Sequence, residues 1–262
     1  MSRNNMTSLA LPSMPSWQLD GRRALVTGAG RGIGMAAAVA LAQAGADVTL
    51  VARSQGETAA VAEALRASGH RATAVMLDVT DSRRVTEFVR DNGPFPILVN
   101  NAGTNRPALL TDTPDEDIEF LMELNVKSAL RMAREVVRGL IANGSPGSII
   151  QISSQMGHVG AARRTVYCAS KHAIEGMTKA LAVEVGQHGI RVNSICPTFI
   201  ATDMTRAQLE EPVFRAQVLG KIALGRLGEL ADVMGPVVFL ASDVSAMITG
   251  ASLLVDGGWT AA

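Results

Sequence analysis

The chain is poor in aromatic residues and in cysteine. Aromatic side chains make up 3% of its 262 residues, so the hydrophobic core has to be built from the aliphatic residues that raise the apolar fraction to 47%. Two cysteines, Cys168 and Cys196, cannot form a disulfide framework. Neither has a second Cys or a His at zinc-ligand spacing, so no metal is expected and a reducing, cytoplasmic setting is. An excess of either charge is absent as well: Lys plus Arg and Asp plus Glu number 24 each, which leaves no field to attract nucleic acid or an anionic membrane. No apolar run reaches the length of a membrane helix. Near the start, Pro12 and Pro15 interrupt Leu9 to Met14, which excludes a signal peptide. Residues 1–16 read as a flexible extension. No Pro/Gly/Ser linker, charge block or repeat interrupts the remainder of the chain, so 17–262 reads as a single domain.

What is present is a regular alternation. Short β-rich runs at Ala24–Thr27, Val48–Val51, Ala74–Leu77, Ile97–Val99, Ser148–Ile152, Arg191–Ile195 and Ser252–Val255 are separated by helical periodicity near 33–44, 55–67, 82–91, 115–140, 165–186 and 229–241. Such alternation predicts right-handed crossovers, and so an α/β, Rossmann-type doubly wound sandwich with a seven-stranded parallel sheet and helices on both faces. The least regular stretch, 202–227, comes after a strand late in the chain, where such folds carry a mobile lid.

The first strand runs into Gly28-Ala29-Gly30-Arg31-Gly32-Ile33-Gly34 and then an Ala-rich helix. Glycines let backbone turn sharply against a pyrophosphate, whose charge meets the free N–H groups of the helix start. The spacing departs from the common G-x-G-x-x-G pattern, and a plain strand-to-helix turn is the simpler alternative. A site selective for NAD places a carboxylate at the end of the second strand. Here that end reads Val51-Ala52-Arg53, and the guanidiniums of Arg53 and Arg31 suit a 2′-phosphate. NADP(H) is the expected cofactor, with NAD(H) as the alternative.

Tyr167 and Lys171 stand four residues apart at the start of a helix, on one face, where an ammonium can stabilise a phenolate. Ser154 closes the fifth strand, where its hydroxyl can hold a substrate oxygen. A lone Tyr-x-x-x-Lys is an ordinary helix pair in most proteins. Here it is joined by Asn100-Asn101-Ala102-Gly103 after the fourth strand, Asn125 inside a long amphipathic helix, and Pro197 to Thr202 after the sixth strand.

Together these motifs resemble the short-chain dehydrogenase/reductase family over about Leu19 to Trp259. The resemblance implies that Gly28, Gly32 and Gly34 line the cofactor loop with Arg31 and Ile33. Asp78 and Val79 would meet the adenine, and Asn100, Ala102 and Gly103 would flank the adenosine ribose. It implies a tetrad of Asn125, Ser154, Tyr167 and Lys171, with Tyr167 as acid/base, Ser154 orienting the carbonyl, Lys171 also gripping the nicotinamide ribose and Asn125 holding a relay water. Pro197, Ile200 and Thr202 would hold the carboxamide. Thr198 stands where the family often has glycine.

The expected activity is hydride transfer between NADP(H) and a small alcohol or ketone. Both 3-oxoacyl carrier-protein reductases, which share the Asp256-Gly257-Gly258 ending, and the sugar, polyol and gluconate dehydrogenases are similar. An acidic carrier protein needs a basic docking patch, and Ser145 and Val183 stand where basic residues would be expected. The balance tilts to a sugar, polyol or sugar acid. Outside the enzymes, the reading left is a non-catalytic NADP(H) sensor. Relatives pack the helices near 115–140 and 165–186 into dimers and often tetramers, which implies a homodimer or homotetramer.

Overall fold

Seven short aliphatic runs pair into one parallel sheet in the computed structural model, which describes residues 11–261 apart from the side chains at 204, 207 and 208. The strands are β1 (Arg23–Thr27), β2 (Asp47–Ala52), β3 (Ala72–Met76), β4 (Ile97–Asn100), β5 (Gly147–Ile152), β6 (Ile190–Pro197) and β7 (Ser252–Val255). Their spatial order is β3-β2-β1-β4-β5-β6-β7. β4 is buried at every position, as a parallel strand covered on both faces has to be. The order reverses between β1 and β4, which pair from Ala24 with Ile97 to Val26 with Val99. Beyond their carboxyl ends a crevice opens, the place where this topology binds ligands.

Helices cover both faces. On one lie α1 (Gly32–Gln43) and α9 (Leu230–Ala241), and α2 (Gln55–Ala67) packs beside α1. Ala37, Ala38 and Leu41 of α1 join Val237 and Leu240 of α9 in one core. The small side chains let α1 pack closely against both the sheet and the neighbouring α9, with no polar face of its own. On the other face α3 (Ser82–Asn92), α5 (Ser128–Ala142) and α6 (Thr165–Val185) enclose a second core around Leu98, Met132, Val136, Leu140 and Ile149.

One expectation is refined and one corrected. The helix expected over 115–140 runs without interruption as α4 (Asp115–Met122), a π turn at Glu123–Lys127 and α5. The wide turn inserts one extra residue, and it carries Asn125. The stretch 202–227 is less irregular than its composition suggests, since it holds α7 (Asp203–Leu209) and α8 (Pro212–Leu219). This flap is pinched at its base by Ala201 N–H donating to Gly228 O at 2.8 Å and Gly228 N–H donating to Phe199 O at 3.0 Å. Beneath it Met156, Phe199, Leu209, Val218 and Ile222 form a small third core that reaches Tyr167 and Trp259.

Of the expected extension, residues 1–10 lie outside the described residues, and 11–16 are exposed with no regular structure. Burial begins at Leu19, whose N–H donates to Ala44 O at 2.7 Å. Among the described residues no helix is long and apolar enough to cross a membrane.

Candidate active site

A cleft of about 530 Å³ lies over the carboxyl ends of β1 and β4. Its floor is the turn after β1. Gly28 has φ +63°, a conformation that disfavours any side chain, and a Cβ on Gly34 would stand 2.2 Å from the Gly28 carbonyl oxygen. The turn therefore lies against the first turn of α1, which holds no acidic residue and no side-chain cap. Its backbone N–H groups are left for an anion.

The turn is clasped from the neighbouring strand. Asn101 donates from Nδ2 to the carbonyl oxygens of Thr27 at 3.0 Å and Gly28 at 3.1 Å. Thr27 Oγ1 accepts from the N–H groups of Asn101 at 3.0 Å and Ala102 at 3.1 Å. These two residues were not among the expected site residues. The available signal was the strand pleat, which sends adjacent side chains in opposite directions. Asn100 turns away to donate to Ala129 O of α5 at 3.0 Å, so Asn101 must face the turn.

Of the residues expected at the cofactor, Gly28, Arg31, Gly32, Ile33, Arg53, Val79, Ala102, Gly103, Tyr167, Lys171 and Thr202 line the cleft. Gly34 lies just beneath, Asn100 is turned into α5, and Asp78 caps its own turn by accepting from Thr80 N–H at 2.9 Å and Thr80 Oγ1 at 2.8 Å. Pro197 ends β6 and Ile200 is buried at the base of the flap. At the other end of the cleft Arg31 and Arg53 are exposed, and Glu57 of α2 lies 3.4 Å from Arg31.

Tyr167 and Lys171 occupy successive turns of α6 on the cleft side. The Lys171 ammonium is buried, 5.6 Å from the centroid of the Tyr167 ring, and donates to Ile152 O at 2.9 Å. Ser154, also buried, hydrogen-bonds the Tyr167 hydroxyl, donates to Gln155 Oε1 at 2.6 Å and accepts from Met156 N–H at 3.1 Å.

The electrostatics differ from the sequence reading. Burial pushes the Tyr167 phenol up to about 12, outweighing the Ser154 hydrogen bond and the Arg164 charge that favour its anion. Burial likewise draws Lys171 down to about 8, against the opposing pull of Cys196 and Glu175. Desolvation, rather than the neighbouring ammonium, dominates the phenol.

Asn125 is enclosed and its amide fully engaged. Nδ2 donates to Thr104 O at 2.9 Å and Ser170 Oγ at 3.1 Å, while Oδ1 accepts from Thr104 N–H at 2.9 Å. The π turn brings that amide to the 104 loop and α6 at once.

The sequence from 28 to 260 matches the family model described as enoyl-(acyl carrier protein) reductase. The chain is 41% identical to D-erythrulose reductase of Gallus gallus over 245 residues, covering 94% of this chain and 98% of that one. It is 42% identical to the 3-oxoacyl-[acyl-carrier-protein] reductase FabG of Pseudomonas aeruginosa over 244 residues, 92% and 98% of the two chains. Its fold superposes on a crystal structure of a gluconate 5-dehydrogenase from Burkholderia cenocepacia J2315 in complex with NADP and tartrate, with a TM-score of 0.90 at 35% identity, covering 94% and 98%. Glycine turn, clasp, Tyr–Lys helix and these full-length likenesses converge: the chain belongs to the short-chain dehydrogenase/reductase family of oxidoreductases.

Proposed function

We propose that the protein is an NADP(H)-dependent reductase of small polyhydroxylated ketones, running in reverse as a dehydrogenase of the corresponding sugar, polyol or sugar acid. In this reading 17–262 is one catalytic domain. The observation that carries it is that Tyr167 and Lys171 line the same cleft as the glycine turn, with Ser154 hydrogen-bonded to the Tyr167 hydroxyl.

The residues present fit a dinucleotide. A backbone cradle that a Cβ on Gly34 would fill, an uncapped helix start and two arginines suit a pyrophosphate and a 2′-phosphate. Arg31 and Arg53, with no carboxylate at the end of β2, favour NADP(H) over NAD(H). Gly28, Gly32, Ile33, Val79, Ala102 and Gly103 would hold the adenosine half, with Gly34, Asp78 and Asn100 fixing the backbone beneath them, and Pro197, Ile200 and Thr202 would hold the carboxamide. When bound, the nicotinamide supplies hydride to a carbonyl carbon or takes it from a carbinol.

Tyr167 gives its phenolic proton to the ketone oxygen in reduction and removes the hydroxyl proton in oxidation. A phenol held near 12 is fully protonated at neutral pH, which suits the reductive direction. Ser154 holds the substrate oxygen, and Lys171 fixes the nicotinamide ribose. The Asn125 amide is occupied, so its side chain positions the 104 loop and Ser170, and any relay water falls to its backbone carbonyl.

The relatives named for erythrulose and gluconate support a sugar-like substrate. Half-buried Ser145 and exposed Val183 leave these two positions without the basic charge that docking an acidic carrier protein calls for. Carrier-protein reduction is the second reading, on the likeness to FabG. α5 and α6 present an apolar groove lined by Leu130, Val137, Ile141 and Leu181, which suits association of copies into a dimer or tetramer. The absence of a disulfide framework suits the cytoplasm.

The deciding experiment tracks NADPH and NADH consumption with a panel of ketoses, keto sugar acids and an acetoacetyl thioester. Turnover of a ketose or sugar acid, at least tenfold faster with NADPH, is expected. Preference for the thioester would hand the assignment to the carrier-protein reading, and tight cofactor binding without turnover to a sensor.

A further inference from the structure

Behind Ser154, on the side of the sheet end away from the cofactor turn, three metal-ligating side chains converge from three elements: His158 after β5, Glu175 on α6 and Cys196 on β6. Cys196 Sγ lies 3.4 Å from His158 Nε2 and 3.4 Å from Glu175 Oε1, and His158 Nε2 lies 3.5 Å from Glu175 Oε2. Cys196 and Glu175 are buried, while the His158 side chain keeps 29% exposure and opens the cluster to solvent.

A nucleophile–base–orienter relay does not explain this arrangement. Such a relay uses both imidazole nitrogens, one toward the thiol and one toward the carboxylate. Here both partners face the same Nε2, which carries at most one proton. The two contacts of the sulfur have ordinary thiol hydrogen-bond lengths, whereas the 3.5 Å between His158 Nε2 and Glu175 Oε2 is long for one. Bonds of about 2.3 Å to sulfur and about 2.0 Å to nitrogen or oxygen put the ligand atoms of a tetrahedral cation about 3.3–3.5 Å apart, and the three groups lie within 4.8 Å of one another.

Two further observations point to a ligand. Ser194 Oγ at 2.9 Å and Ser252 Oγ both donate to Glu175 Oε2, fixing the carboxylate and leaving Oε1 turned to the thiol, the way outer groups orient a metal-bound carboxylate. Ser153 is 4% exposed, and its hydroxyl faces Glu175 and Cys196 and favours the charged form of each. It borders the same space, since a Cβ on Gly157 would meet both Ser153 Oγ at 3.1 Å and Glu175 Cγ at 3.0 Å.

We propose that His158, Glu175 and Cys196 form a binding site for a single zinc-class divalent cation, with solvent on the His158 side as fourth ligand. Imidazole, thiolate and carboxylate together are a donor set for zinc and cobalt rather than for magnesium or calcium. On binding, the Cys196 thiol gives up its proton to solvent and sulfur bonds the cation; no oxidant or reductant is involved. The cation ties the β5 loop to α6 and β6, so it stabilises the folded chain. Spacing along the chain hides the site, because Cys196 lies 38 residues from His158 and 21 from Glu175.

The test is titration of the metal-free full chain with cobalt(II), monitored by thiolate-to-cobalt charge-transfer absorption and by thermal melting, with zinc as competitor. One equivalent is expected to bind, to raise Tm and to be displaced by zinc. Affinity should fall at least tenfold in Cys196→Ala and in His158→Asn, while Cys168→Ala, which removes the other thiol, retains the band. Absence of the band in the folded wild-type chain overturns the site, and so does its loss in Cys168→Ala. If Cys196→Ala fails to fold, a band unchanged in His158→Asn overturns it equally.

Discussion

The Lys171 ammonium lies 5.6 Å from the Tyr167 ring centroid, yet its hydrogen bond goes to the Ile152 carbonyl at 2.9 Å. The lysine is anchored to the end of β5 rather than to the phenol. Its position is thus set by the sheet, and Tyr167, one turn earlier on α6, is held relative to that anchor.

The anchor has a cost that depends on pH. In the ligand-free chain burial draws Lys171 from 10.5 to about 8, equivalent to about 3 kcal/mol. Below pH 8 both folded and unfolded chains hold the proton and the full cost applies. Between about 8 and 10.5 the unfolded chain binds more protons, so stability rises with pH. Lys171→Met should therefore be more stable than wild type at pH 7 by about 2 kcal/mol, allowing about 1 kcal/mol for the lost hydrogen bond. The advantage should shrink as pH rises through that window. Denaturant unfolding of both ligand-free chains at pH 7, 8, 9 and 10 checks it. A constant difference would contradict the burial of a charged ammonium.

Tyr167→Phe keeps the ring in the third core and removes the proton carrier. Turnover should fall by about 10²–10⁴-fold, the usual share of a general acid, while NADPH affinity stays within about threefold. Steady-state kinetics and fluorescence titration of NADPH separate the two. An equal loss in both would make the tyrosine a cofactor contact and not the acid. In oxidation the profile should keep rising above pH 9, since a phenol at about 12 yields little base at neutral pH unless bound ligands lower it.

The parts of the site that were legible in the sequence are those whose chemistry is local. The glycine turn, the Tyr167–Lys171 pair and the strand run each announce themselves within a few residues, because turn geometry and helix spacing are short-range properties. Asn101 was not, since its partners Thr27 and Gly28 are 74 and 73 residues away. The π turn at Asn125 was also hidden: its residues keep a helical pattern, and only packing on Thr104 and Ser170 inserts the extra residue. The helices of the flap were masked by short length and by Pro212, which starts α8 rather than breaking it. The direction of the Tyr167 shift depends on burial, which no spacing reports.

The clasp at the cofactor turn gives a sharp contrast. Asn101→Ala removes both bonds to the turn, so stability should drop by about 1–2 kcal/mol and NADPH affinity about tenfold. Gly34→Ala forces a methyl against the Gly28 carbonyl and should weaken NADPH at least a hundredfold. Calorimetric titration with chemical denaturation distinguishes a loosened turn from a blocked one. Wild-type affinity in Gly34→Ala would remove the turn from the cofactor site.

Cofactor choice turns on three side chains at the far end of the cleft. Arg31 and Arg53 are the cations beside the end of β2, and Glu57 stands 3.4 Å from Arg31. A 2′-phosphate would bring up to two negative charges to these arginines, whereas the 2′-hydroxyl of NADH brings none. Arg31→Ala with Arg53→Ala should raise KM for NADPH at least tenfold and leave KM for NADH within about threefold. Glu57→Gln removes a competing carboxylate, so KM for NADPH should fall two- to fivefold. That gain should fade above about 0.5 M salt, where screening acts over about 3–5 Å. Should the double variant weaken both cofactors equally, the arginines serve the pyrophosphate or the fold, and the preference for NADPH has to arise elsewhere.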